Sequence, residues 1–107
     1  MKWPENIGMM QGMVVEWISP LLPDRQPMAT AVKMTEELAE LMGAMLHGDK
    51  NIGEECADVL ILLLDIAYLN GVDISEEFWE KMKINRGRSW TPKQGALKHE
   101  NANQQDA

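Results

Sequence analysis

Glu36-Glu37-Leu38-Ala39-Glu40 and, one short turn later, Glu54-Glu55-Cys56-Ala57-Asp58 decide the reading of this chain. The first stretch reads E-E-x-x-E and the second contains E-x-x-D. Residues three apart share one face of a helix. Each stretch therefore sets two carboxylates side by side, flanked by core-type residues such as Leu38, Leu41, Val59 and Leu62. Carboxylates gathered at the edge of an apolar core repel one another. The ordinary remedy is a hard divalent cation, and Mg²⁺ favours carboxylate oxygens. The candidate ligands are Glu37, Glu40, Glu55 and Asp58. The plainer alternative is a solvated helix face laced by ion pairs, for instance Lys33 to Glu37 at i,i+4.

The flanking pattern predicts four helices. Apolar residues at Met9, Met10, Met13, Val14 and Trp17 recur every three or four positions and predict a helix from about Glu5 to Ile18. Ser19-Pro20 ends it, because proline disfavours helix at the residue before it. The second helix is expected from Pro27, a good first-turn residue, to His47-Gly48, where glycine suits a left-handed cap. The third opens at Asn51, where Asn51 and Glu54 resemble a capping box, and closes at Asn70-Gly71. The fourth starts at Asp73 or Ser75 and runs to about Arg86. The connection from His47 to Asn51 is short, so the second and third helices should pack side by side, antiparallel, with the acidic pairs at similar height. From Val59 to Leu69 the third helix is apolar on almost every side, interrupted by Asp65. A helix apolar all round is buried all round, which in so small a chain calls for a partner subunit.

A length of 107 residues fits one domain, expected over residues 1–90. Residues 91–107 read as a polar tail without apolar anchors, expected to be mobile and without strands. Nine methionines suit an adaptable core. The net charge of −7 argues against a nucleic-acid partner. The one cysteine, Cys56, excludes an internal disulfide and reads as a small core residue. The longest apolar run, Val59 to Leu64, is far shorter than a membrane span, and no signal-peptide core is present, so the expected location is cytoplasmic.

Lys81, Asn85 and Arg88 form K-x-x-x-N-x-x-R, followed by Trp90. One helical face carrying a point charge, an amide and a bidentate fork suits phosphate. A basic helix C-terminus favoured by the helix dipole explains the Lys and Arg equally well, but not Asn85. Together, the acidic pairs and this basic face describe a site for a metal–polyphosphate.

In this order and spacing the residues resemble the MazG-like, all-α nucleoside triphosphate pyrophosphohydrolases, a group that includes dCTP pyrophosphatases, dimeric dUTPases and HisE phosphoribosyl-ATP pyrophosphatases. The resemblance covers about Ala31 to Trp90. It rests on Glu36 to Glu40, Glu55 to Asp58, the Asp58-Val59-Leu60 run, the Asn70-Gly71-Val72-Asp73 turn and Lys81 to Trp90. Gly95 to His99 is also similar to the G-x-x-x-H ending of short, phage-type members. The resemblance implies an all-α, four-helix MazG-like bundle completed as a dimer or tetramer. It implies Mg²⁺-dependent hydrolysis of an NTP or dNTP to the monophosphate and pyrophosphate, with Mn²⁺ as a substitute and nucleotide-pool housecleaning as the role. By position, Glu37, Glu40, Glu55 and Asp58 resemble the metal ligands, and Lys81, Asn85 and Arg88 the phosphate contacts. Glu36, with Glu37, falls to the catalytic water or to a further metal ion. Trp17 either stacks on the base or belongs to the core. Asp65 either meets sugar or base or pairs with Lys33 or a Trp indole, because a buried acid needs a partner. Trp3 and Trp79 read as core or interface, and His47 and His99 as non-ligands.

The rivals are weaker. Carboxylate-bridged di-iron bundles use E-x-x-H pairs, whereas the third residue after Glu37 and Glu55 is acidic. A phosphoribosyl-ATP pyrophosphatase is the nearest alternative enzyme, and a non-enzymatic helical oligomer or adaptor is the alternative outside catalysis.

Overall fold

The computed structural model describes residues 6–93 and 95–100. The four expected helices are present: α1 (Ile7–Ile18), α2 (Pro27–His47), α3 (Ile52–Leu69) and α4 (Ile74–Gly87). A two-stranded antiparallel hairpin follows, β1 (Ser89–Lys93) and β2 (Ala96–Glu100). Among the described residues no helix is long and apolar enough to cross a membrane.

The helix ends follow from local chemistry. Asn6 caps α1, its side chain accepting the Met9 N–H at 2.9 Å. Gly48 has φ 66 and closes α2, with its own N–H on Met45 O and the Asp49 N–H on Ala44 O at 2.9 Å. That left-handed backbone costs glycine nothing. Gly71, at φ 70, performs the same service after α3, with the Val72 N–H on Ala67 O at 2.8 Å. The capping box expected at Asn51 and Glu54 does not form. Asn51 makes no side-chain cap: its backbone, at φ −95 and ψ 18, is not the extended conformation of a capping residue, and its amide N–H donates to the Glu55 carboxylate at 3.0 Å.

The described residues divide into two compact units between Ser75 and Glu76. In the first, α3 packs against both α2 and α1, and the α2–α3 contact is the more extensive. Leu64, Ala67 and Ala44 are the buried apolar residues, joined by Thr30 and Asp65. Gln11 of α1 donates to Leu64 O at 3.2 Å and Val72 O at 3.3 Å, tying α1 to the body of α3 and to the turn after it. The all-round burial expected of α3 is not met within one chain: Leu60, Ile61, Leu63 and Tyr68 are all exposed. Met10, Met13, Val14 and Trp17 of α1 and Ala57, Leu60, Ile61 and Leu64 of α3 line an open apolar groove of about 470 Å³.

In the second unit the expected strandless tail is corrected. Ser89–Lys93 pairs with Ala96–Glu100 in register, Trp90 opposite His99. The two rings lie 5.3 Å apart, and Trp90 Nε1 donates to Asn85 O at 2.6 Å, satisfying a carbonyl near the helix end. The strands escape a period-two reading because they are short, polar and interrupted by Pro92. Residues 101–107 and Trp3 lie outside the described residues. Trp79 is 64% exposed and is not core, its ring edge-on to Phe78 at 5.9 Å.

Candidate functional site

The tight turn at Gly48 sends α3 back along α2 and sets their acidic residues face to face. Glu37 of α2 and Glu55 and Asp58 of α3 each offer a carboxylate oxygen within 4.8 Å of the others. Neighbouring positions diverge as helical geometry requires: the Glu37 side chain is 13% exposed, whereas that of Glu36 is 60% exposed. Glu36 therefore stands at the rim while Glu37 points into the cluster.

The cluster is electrostatically incomplete. Asn51 occupies one Glu55 oxygen, Oε1, while Glu55 Oε2 is buried with no hydrogen-bond partner. A buried carboxylate oxygen without a donor or cation is costly. Glu40 is not among the three converging acids but feels their charge. A hydrogen bond with Glu37, then repulsion from Glu37 and Glu55, holds its carboxyl above the usual value of 4.5. Lys33 opposes that shift. Its ammonium lies 3.3 Å from Glu37 Oε1 and 3.4 Å from Glu36 Oε2, and these contacts raise its own pKa. So the expected Lys33–Glu37 ion pair exists alongside the acid cluster and does not replace it. Hard oxygen donors, mutual repulsion and an orphaned buried oxygen are what a divalent cation would satisfy. Glu37, Glu55 and Asp58 fit such an ion, with Glu40 beside them.

Trp17 is 60% exposed at the groove between α1 and α3, so its ring is available rather than packed away. Asp65 is 3% exposed and pairs with neither Lys33 nor a tryptophan. Its partner is Arg25, whose Nε and Nη2 meet Oδ2 and Oδ1 at 2.7 and 2.8 Å. Cys56 is exposed on α3, correcting its expected place in the core. In the second unit, Lys81 is exposed while Asn85 and Arg88 are half-buried, and Asn85 Oδ1 is buried without a partner. His47 is exposed at the end of α2.

Two residues of the site went unread in the sequence. Asn51 orients Glu55 through an i,i+4 contact, a spacing visible in the sequence but masked by the stronger capping pattern. Arg25 lies in the connection before α2, far from Asp65 in sequence, and only the fold joins them.

No protein-family model matches the chain. Individual proteins do. A dATP/dGTP diphosphohydrolase of Cyanophage S-2L is 43% identical over 97 residues, 90% of each chain. A dATP/dGTP diphosphohydrolase of Salmonella phage PMBT28 is 40% identical over 85 residues, 79% of this chain but only 28% of that longer protein. Among solved structures, the Cyanophage S-2L MazG-like pyrophosphohydrolase bound to dGDP and three catalytic Mn²⁺ ions per active site superposes with a TM-score of 0.80. It is 42% identical, and the match covers 92% of this chain and 100% of that one. Identity at this level over nearly the whole length, with a common fold and a cluster of acids able to hold a divalent metal, carries both ancestry and chemistry: the chain belongs to the MazG-like pyrophosphohydrolases and is a metal-using nucleoside triphosphate pyrophosphohydrolase.

Proposed function

We propose that this chain hydrolyses purine deoxynucleoside triphosphates to the monophosphate and pyrophosphate, with Mg²⁺ as its working cation and Mn²⁺ as a substitute. The observation that carries the reading is the convergence of Glu37, Glu55 and Asp58 around a buried, unpartnered Glu55 oxygen. The purine preference is supported by the two phage relatives, both called dATP/dGTP diphosphohydrolases. Removal of such triphosphates would serve nucleotide-pool housecleaning in the cytoplasm.

Glu37, Glu40, Glu55 and Asp58 hold the cation. When bound, it supplies Lewis-acid polarisation of phosphate oxygens and a more acidic water. Asn51 keeps Glu55 in its rotamer by occupying the other oxygen. Glu36, at the rim beside Glu37, is placed to accept a proton from the attacking water or to hold a further ion. Lys81, Asn85 and Arg88 neutralise the triphosphate and the charge that grows on the pyrophosphate leaving group. Trp17 offers an exposed ring for stacking on the base. Asp65, held by Arg25 beside a largely apolar cavity of about 190 Å³, is the candidate contact for sugar or base.

Exposed Leu60, Ile61, Leu63 and Tyr68 on α3, with Met42, Met45 and Leu46 on α2, support self-association as a dimer or tetramer. The acidic net charge supports a small-molecule substrate rather than nucleic acid.

The test is release of pyrophosphate and monophosphate from a panel of NTPs and dNTPs, with Mg²⁺, Mn²⁺ or EDTA. Metal-dependent release, fastest for dATP and dGTP, is expected. A pyrimidine preference would reject the purine assignment, and silence across the panel would turn attention to phosphoribosyl-ATP or to a binding role.

A further inference from the structure

We infer that Lys33 is a built-in counter-ion of the metal centre: in the metal-free chain it holds Glu37 and Glu36, and a divalent cation displaces it. The inference rests on the metal reading of Glu37, Glu55 and Asp58 given above, and concerns how that site is kept when empty of metal.

Geometry sets the competition. Lys33 and Glu37 are i,i+4 on α2, so their side chains meet without backbone adjustment. The ammonium lies 3.3 Å from Glu37 Oε1 and 3.4 Å from Glu36 Oε2. Glu37 belongs also to the triad whose oxygens approach within 4.8 Å. An ammonium and a divalent cation that share one carboxylate repel each other across a few ångströms. The ammonium is the weaker ligand for that carboxylate, and its side chain is 56% exposed, so water is ready to solvate it when it leaves. A lysine on a flexible stem gives up such a contact at little cost. In the metal-free chain the same contact offsets part of the repulsion among the acids. The lysine therefore competes with a cation for Glu37, weakens cation binding and moves outward on loading.

The prediction separates displacement from mere background charge. Lys33→Gln removes the competitor and should tighten Mn²⁺ binding by about two- to fivefold, the range set by the worth of an exposed ion pair. Lys33→Arg keeps the charge but grips Glu36 and Glu37 with a planar fork, and should weaken Mn²⁺ binding about twofold relative to wild type. Affinities would come from free-Mn²⁺ electron paramagnetic resonance on the full chain, and magnesium titration would be followed by NMR of the lysine side-chain nitrogens. Tightening in Lys33→Gln, loosening in Lys33→Arg and a shift of the Lys33 signal on Mg²⁺ addition to wild type support the inference. An Arg variant equal to wild type leaves only a general field and overturns it, as does a Gln variant with unchanged or weaker binding. If wild type itself binds no Mn²⁺, the metal reading fails along with it, whereas wild-type binding with indifferent variants rejects the counter-ion alone.

Discussion

Arg25 and Asp65 face each other in a two-pronged ion pair, Nε to Oδ2 at 2.7 Å and Nη2 to Oδ1 at 2.8 Å, with side chains only 7% and 5% exposed. The same guanidinium donates to Leu22 O at 3.1 Å and to Ser19 Oγ at 3.3 Å. One side chain therefore fastens the connection between α1 and α2 to the middle of α3. The pair also raises the Arg25 pKa, chiefly through the hydrogen bonds to Asp65, so its charge is constant at every working pH.

Removing one partner strands the other charge. Asp65→Asn or Arg25→Met should lower unfolding free energy by about 3–5 kcal/mol, the usual cost of an uncompensated buried ion. The double variant Arg25→Met with Asp65→Leu should lose clearly less than the two singles added together. Urea unfolding of the four proteins completes the cycle, and strict additivity would show that the pair is not coupled.

Glu55→Gln removes a negative charge from the acid cluster while keeping the shape. Metal-free protein should become slightly more stable, because repulsion with Glu37 and Asp58 falls. Turnover with Mg²⁺ should drop by roughly 100-fold or more, since even residues behind metal ligands commonly cost 10- to 100-fold. EDTA should abolish wild-type turnover, with restoration on adding Mg²⁺ or Mn²⁺. A variant that is inactive only because it is unfolded would be recognised by loss of helical circular dichroism.

Glu40 carries a pH signature. Its carboxyl is raised above 4.5 by the hydrogen bond with Glu37, so in this range the folded chain binds a proton that the unfolded chain has released. Stability from this group is complete below 4.5 and is lost as pH rises through the raised value. Without metal, Glu40→Gln should therefore match or trail wild type at low pH and exceed it at neutral pH. Saturating Mg²⁺ should reverse the neutral-pH order, because the cation wants the ionised acid. Thermal unfolding across this range, with and without Mg²⁺, reads both changes, and parallel curves for the two proteins would refute the assignment.

Trp90→Phe deletes the Nε1–H donor to Asn85 O while sparing the ring contact with His99. A neutral hydrogen bond of this kind is worth about 0.5–1.5 kcal/mol. Amide hydrogen exchange in the hairpin and the last turn of α4 should quicken together, whereas exchange in α2 and α3 stays as in wild type.

The helices and the acidic faces were legible because both rest on local spacing. E-E-x-x-E and E-x-x-D state which carboxylates share a face, and Gly48 states where the chain reverses. Side-chain choices between competing local partners were not legible. Asn51 stands at the cap position, but its backbone is not extended as a cap requires, and its amide instead donates to Glu55 in a charge-assisted bond. Arg25–Asp65 lay beyond local reading altogether, since its partners are joined by the packing of α1 and α2 on α3. The hairpin was missed because its strands are short, polar and interrupted by Pro92, so no alternating hydrophobicity announces them, whereas contacts such as Trp90 on His99 and the Trp90 indole on Asn85 O appear only in the fold. Cys56 was misplaced because a nearly continuous apolar run hides which face of α3 is covered.

The reversal at Gly48 has a kinetic meaning. The acids of the cluster sit on two helices adjacent in sequence and joined by a minimal loop, so the ends that must meet are never far apart along the chain. Closing such a loop costs little chain entropy, and low contact order favours rapid assembly. The helical hairpin that carries the acid cluster can thus form before α1 docks. A cation present during folding would meet a nascent site, and would act as a nucleating clasp for the α2–α3 pair as well as a tool of the finished enzyme.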